Sequence, residues 1–319
     1  MNSALTGALY QLLQSVLVVL AAPLLLGWVN MCRAWLQNRS APPLMQCYRS
    51  LHKLFAKDAA LAENASWVFR FSPYIQFGCM WLAAGIVPAI ATDLPFAPAA
   101  DVIALVGVFA MARVFASLAA MDIGTAFGTL GARREMFVGA LAEPALLLVF
   151  FNLSVIAHST SLVTIVETLA HGPLVIYPSL AFAGVAFVMV ALAENARIPV
   201  DNPATHLELT MIHEAMVLEY SARHLALIEW AASIKLFVYS TIGLALFVPW
   251  GIPEAGHALE VWLAVLYLCG KLLVGGFILA LLETLSAKMR VFRVPEFLAT
   301  AFLLAMLGLL LQFTFQAGA

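Results

Sequence analysis

Eight apolar stretches limit what this chain can fold into. They run near residues 5–31, 69–91, 101–121, 136–157, 175–193, 225–250, 258–283 and 296–315. Each is long enough to cross a hydrocarbon layer of about 30 Å as a helix. A backbone inside hydrocarbon must satisfy its own hydrogen bonds, which runs of this length do as helices. Composition agrees: 63% of the residues are hydrophobic and 11% charged, whereas a soluble domain carries about 25% charged residues. The expected fold is an all-α integral membrane protein, one polytopic domain over residues 1–319 with eight transmembrane helices. A net charge of −2 gives no sign of a nucleic-acid partner. The first run lacks a basic leader and exceeds an ordinary signal-peptide core, so it reads as a retained helix.

Lys and Arg positions orient the spans. Loop 32–70 carries Arg33, Arg39, Arg49, Lys53, Lys57 and Arg70; loop 122–135 carries Arg133 and Arg134. Loop 194–224 carries Arg197 and Arg223, and loop 284–295 carries Lys288, Arg290 and Arg293. The alternate loops near 92–100, 158–174 and 251–257 carry none. The basic loops are therefore expected on the cytoplasmic side and both termini on the outer side. The segment "PLMQCYRSLHKLFAKD" (43–58) sets Cys47, Leu51 and Phe55 at helical spacing, with Arg49, Lys53 and Lys57 elsewhere around the turn. This is the pattern of an amphipathic helix lying in the interface, either a simple anchor or one wall of a cavity entrance.

Between the fifth and sixth runs lies "ENARIPVDNP" (194–203), which holds three charges and two prolines. Pro199 is expected to stop the fifth span. Asn202 and Pro203 read as an N-cap and first-turn proline of a helix over about 203–221. Glu208 and Glu219, eleven residues apart, would share one stripe of that helix, with Glu214 on another side. Five acids (Glu194, Asp201, Glu208, Glu214, Glu219) fall within 26 residues of a chain that otherwise avoids charge. They form either a solvated face or a functional cluster.

Ionisable groups inside spans are costly and mark function by default. Glu143 lies about two turns into the fourth span. Arg113, Lys235 and Lys271 fall near the middle of theirs, Glu229 in the first turns of the sixth, and Glu283 at the inner end of the seventh. Continuous with the acidic loop, these groups read as a proton path; alternatively they are buried pairs that fix helix packing. Cys32, Cys47, Cys79 and Cys269 are widely spaced with no CxxC, and they read as small apolar fillers. His206, Glu208, His213 and Glu214 form neither HExxH nor an iron–carboxylate ExxH pair, so no metal site is expected. "GTAFGTLG" (124–131) follows a span rather than a strand and reads as a tight cytoplasmic loop, not a nucleotide site. No nucleophile–base pair is evident.

The loop "AENARIPVDNPATHLEL…LEYS" resembles the signature of the respiratory complex I subunit 1 family, approximately AETNRxPFDLxEAExEL…EYS. Glu194, Arg197, Pro199, Asp201, Glu208, Leu209, Glu219, Tyr220 and Ser221 match. "LGARRE" (130–135), "LAEPALLL" (141–148) with Glu143, "IEWA" (228–231) and Lys271 extend the resemblance over most of the chain. The departures are Val200 before the aspartate, a missing first glutamate of the EAE piece, "QNRSAPP" (37–43) for a glycine-rich segment, and "SAKMRVFRVPEF" (286–297). These variants are similar to the membrane subunits of energy-converting group 4 nickel–iron hydrogenases of the hydrogenase-4 and formate hydrogenlyase type.

The resemblance implies a multi-pass subunit of the bacterial inner membrane that holds no redox cofactor itself. It implies docking of the hydrogenase large subunit and the small iron–sulfur subunits, which carry the nickel–iron centre and iron–sulfur clusters. Antiporter-like membrane subunits and the lipid bilayer would be its other neighbours. Glu143, Glu194, Glu208, Glu214, Glu219, Glu229, Lys235, Lys271, Arg113 and Glu283 become candidates for proton transfer or coupling. Arg197, Pro199, Asp201, Tyr220, Arg133 and Arg134 become candidates for holding the loop and docking the arm. Two rivals stay open: a quinone-site subunit of complex I, and a self-sufficient ion transporter, against which no internal repeat is evident.

Overall fold

The structure is a computed structural model that describes residues 3–88, 100–171, 178–201, 211–251 and 258–317. Helices α1 (Ser3–Leu36), α2 (Gln46–Phe55), α3 (Trp67–Ile86), α4 (Val102–Asp122) and α5 (Ala126–Ala157) are followed by α6 (Leu162–His171) and α7 (Pro178–Glu194). Then come α8 (His213–Val217), α9 (Ala222–Phe247), α10 (Ala258–Leu285), a 3-10 turn (Val291–Arg293) and α11 (Val294–Ala317). The described residues contain no strand, only an isolated bridge between Asp101 and Ser161. Among the described residues six helices are long and apolar enough to cross a membrane: α1, α4, α5, α9, α10 and α11. At the positions of the other two expected spans lie α3, with 20 residues, and α7, an apolar helix of 17 residues.

Several boundaries differ from expectation. The fourth span and the loop before it are one helix, because Thr125 caps α5 by accepting from Gly128 N. "LGARRE" is therefore helical, and Arg133 and Arg134 project from the start of α5. The turn remains at Gly124, whose φ of 75° suits glycine. The loop 158–174, expected on the outer side, contains α6, pinned at its start where Leu162 N donates to Ala100 O over 2.7 Å. The helix expected over 203–221 is not continuous. Residues 202–210, including Glu208, Asn202 and Pro203, lie outside the described residues. Over 211–221 the chain makes only the five-residue α8 and then turns. The turn follows from Tyr220, whose ring stacks on Phe69 at 4.0 Å and whose hydroxyl donates to Phe69 O over 3.0 Å. That docking takes residues 218–221 off the helical path.

Helices α4, α5, α7 and α11 pack as one group, joined through α3 and α9 to α1. α10 lies along α1. Two prolines help set this packing. A helical proline leaves the carbonyl four residues earlier without its partner, a cost inside a membrane. Pro23 in α1 frees Val19 O, which accepts from Trp230 Nε1 of α9 over 2.9 Å. Pro73 in α3 frees Phe69 O, the acceptor for Tyr220. Each proline thus creates an acceptor that only a distant element satisfies. α2 is amphipathic as expected: Leu51 is buried, Phe55 meets Trp230 edge-on at 6.2 Å, and Tyr48 donates to Leu20 O of α1.

Candidate functional site

Arg113 organises the interior. It sits in α4 with 7% of its side chain exposed and pairs with three carboxylates. It hydrogen-bonds Glu143 of α5 and Glu194 at the end of α7, and its Nε lies 3.7 Å from Glu135. Lys235 of α9 donates to the other oxygen of Glu194 over 2.9 Å. Four helices thus meet through one connected set of charges. Glu194 is nearly sealed, at 1% side-chain exposure, whereas Glu143 is 33% exposed. Charges this deep persist only when paired, and removing one partner leaves the other uncompensated.

Helix spacing explains the placement. Glu135, Gly139 and Glu143 follow each other at four-residue intervals and share a stripe of α5. Arg113 lies across that stripe, and a side chain at position 139 would overlap its guanidinium. Gly131, two further turns up, has the Ile212 carbonyl 2.8 Å and Ala215 Cβ 2.9 Å from where a Cβ would stand. Glycine there lets α8 settle onto α5, and Arg134 reinforces the contact by donating to Met211 O over 2.8 Å.

Beside this cluster is a cavity of about 380 Å³ with a mixed lining. Arg113, Glu135, Glu194 and Lys235 of the ion network line it, together with Asn30, Arg33, Gln76, Asn195, Arg197, Asp201, His213 and Glu214. Apolar side chains, among them Leu26, Met80, Met216 and Ile228, make up the remainder. A second ionic group involves two of the lining arginines: Glu283 lies 3.1 Å from Arg197 and 3.5 Å from Arg33. Asp201 accepts from His213 N over 3.1 Å and lies 3.5 Å from Lys288. Met289 N donates to Pro199 O over 2.9 Å, and the Ile198–Pro199 bond is cis. The loop after α7 is therefore clamped to the segment after α10, and acid, base and imidazole groups line one partly open cavity.

The remaining expected site residues fall elsewhere. Lys271 does not join the Arg113 cluster; its ammonium donates to the carbonyls of Val248 and Trp250 just past the end of α9. Val248 caps α9 and Trp250 lies in the turn beyond it, so neither carbonyl has an intrahelical donor, which explains where the lysine goes. Glu229 is exposed on α9 toward α2, where its charge and, more strongly, burial push the Cys47 thiol up. Glu219 is exposed in the turn after α8, and Arg133 is exposed on α5. Tyr220 is buried against α3, and burial holds its phenol well above its ordinary pKa. Sequence reasoning missed Glu135, Asn30, Arg33, Gln76, His213 and Lys288 as members of the site. Among the described residues no three His, Cys, Asp or Glu side chains converge on a metal-sized point.

The fold and site together are a multi-helix membrane scaffold with a buried ion network beside a loop-lined cavity. The chain belongs to the NADH dehydrogenase family, whose model, described in those words, matches residues 9–314. It is 33% identical over 290 residues to formate hydrogenlyase subunit 4 of Escherichia coli (strain K12), covering 91% of this chain and 94% of that protein. It is 34% identical over 246 residues to hydrogenase-4 component C of the same strain, 76% of each chain. The fold matches a chain of the membrane-bound sulfane sulfur reductase, an archaeal respiratory membrane complex, with a TM-score of 0.82. That match has 16% identity and covers 96% of this chain and 99% of the other.

Proposed function

We propose that this chain is the membrane anchor and coupling subunit of an energy-converting nickel–iron hydrogenase complex of the formate hydrogenlyase or hydrogenase-4 type. In this reading it crosses the bacterial inner membrane eight times, with both termini outside. The clamped loop faces the cytoplasm and seats a soluble arm whose large and small iron–sulfur subunits hold the nickel–iron centre and clusters. Antiporter-like subunits flank it in the membrane. The observation that carries the reading is the Arg113 cluster, in which cavity-lining Glu194 and half-exposed Glu143 share one guanidinium. A change of charge or hydration in the cavity alters the balance at Glu194. Arg113 must then redistribute between the two carboxylates, and Glu143 passes the change toward a neighbouring subunit. Glu214, on the cavity wall, is the candidate proton donor from the loop side, and Glu208 and Glu219 are the further acids of that loop proposed for the path. Lys235 holds the charge of Glu194. Arg197, Pro199 and Asp201 keep the loop's shape through Glu283, Met289 and Lys288. Arg133 and Glu219, both exposed at the same end, are candidates for docking the arm.

The cavity size favours one second reading. About 380 Å³ lies in the range of small-molecule sites, so a quinone-binding subunit of complex I is the competing assignment. Purification of the tagged chain from its native membrane in mild detergent separates the two. The hydrogenase reading expects a nickel–iron large subunit and hydrogen evolution from a reduced artificial donor. Co-purifying NADH-oxidising subunits with quinone reductase activity would assign the chain to complex I, and a chain that purifies alone would favour a self-sufficient transporter.

A further inference from the structure

A second cavity of about 480 Å³ opens between α7, α9 and α10. Its walls are almost wholly apolar. It runs from Leu180 and Phe247 toward Leu282 and Arg197. On α7 alone it follows the helix from Leu180 to Leu192, roughly 18 Å at the helical rise. The cleft exists because α10 lies along α1 and touches α9 only lightly. Gly276 of α10 is filled from behind by Trp28, while a Cβ on Gly275 would meet nothing within 4 Å.

We infer that this cleft binds an anionic phospholipid, with an acyl chain along α7, α9 and α10 and the phosphate at the inner, basic mouth. A partner helix about 10–12 Å across would lie over the open side of this groove and leave its depth unfilled. An extended hydrocarbon chain matches both the length and the lack of polar lining. The mouth supplies the charge. Arg197 lines the cleft, and the segment after α10 is tied beside it by the bond from Met289 N to Pro199 O. That segment carries Arg290 and Arg293, both exposed, flanked by Leu285 at 75% and Phe292 at 90% exposure. Apolar side chains that enter the interface beside guanidinium groups form a surface for an anionic headgroup. Lys288 and Arg197 already have carboxylate partners, so Arg290 and Arg293 are the groups left to meet phosphate.

The test uses the whole complex in nanodiscs doped with a phosphatidylglycerol that carries a photoreactive diazirine in its acyl chain. Light-induced label is mapped by peptide mass spectrometry. Label is expected on the α7, α9 and α10 residues of the cleft. Gly275→Trp, which fills the space, should abolish it there. Gly270→Trp, at an equally open position of α10 outside the cleft, should not, and this separates loss of the site from loss of the fold. Arg290→Gln and Arg293→Gln should each lower cleft labelling about fivefold. A phosphatidylcholine probe of the same chain should label weakly and ignore both arginine variants. The inference is overturned by label spread evenly over α10 and α11, by cleft label that survives Gly275→Trp, by equal labelling from both headgroups, or by a partner-subunit peptide cross-linked into the cleft in place of lipid.

Discussion

At the scale of single residues, Arg113 matters most. Its guanidinium is buried and compensates Glu194, which is sealed. Arg113→Gln should therefore destabilise the chain by up to about 3–5 kcal/mol, since Glu194 then keeps only Lys235 while Glu143 and Glu135 lose their guanidinium. Unfolding in mixed micelles measures this. Arg113→Leu combined with Glu194→Leu and Lys235→Met should recover part of the loss, because the sealed charges go together and only Glu143 and Glu135 are left without their guanidinium. Lys271 gives the contrasting case. Lys271→Met should leave coupling intact while speeding hydrogen exchange near residues 248–250, whose carbonyls it caps. Arg113, Glu143 and Lys235 were legible in the sequence because charge inside a span is rare enough to stand out, and Glu194 because it opens the acidic loop that follows the fifth span. Which charge meets which was not, since pairing depends on the rotation and depth of helices far apart in the chain. Lys271 illustrates this: mid-span by residue number, it serves the end of a neighbouring helix. Glu135 was legible in principle. The spacing Glu135–Gly139–Glu143 marks one stripe, but placing the start of the span at 136 cut that stripe in two.

At the scale of elements, the two proline-freed carbonyls govern how the loop and helices dock. Tyr220→Phe should cost about 1–2 kcal/mol by leaving Phe69 O without a donor. It should also raise hydrogen exchange over residues 211–221. Pro73→Ala restores a donor within α3, so in that background Tyr220→Phe should cost distinctly less, and a double-mutant cycle reads the coupling. The same phenol predicts a pH response. Its folded pKa lies above the unfolded value near 10, so the neutral form's contribution is complete below that value. It is lost only as pH rises through the folded pKa. Exchange protection of the loop should thus be flat across neutral pH and fall only in strong alkali. Helix existence and the amphipathic α2 were readable from apolar length and period. The break after α8 was not, because the segment 213–221 has a helical pattern and a tertiary contact through Tyr220 overrides it. The join of "LGARRE" onto α5 was also hidden, since two adjacent arginines resemble a loop even when a threonine cap starts the helix before them.

At the scale of the whole molecule, Arg113 bridges Glu194, which lines the cavity, and Glu143, which does not, and under the proposed function this bridge is the coupling step. If the termini lie outside, a protease site added at the C-terminus should be cut in intact spheroplasts and protected in inverted vesicles. The direct test of coupling through Arg113 is the number of protons moved per hydrogen molecule evolved by the purified complex in proteoliposomes, for the wild type and for Glu143→Gln. The variant is expected to evolve hydrogen at a rate within about twofold of the wild type while its proton movement falls to background. Proton movement that survives Glu143→Gln at the wild-type ratio would contradict coupling through this cluster, and so would a wild-type complex that evolves hydrogen without moving protons.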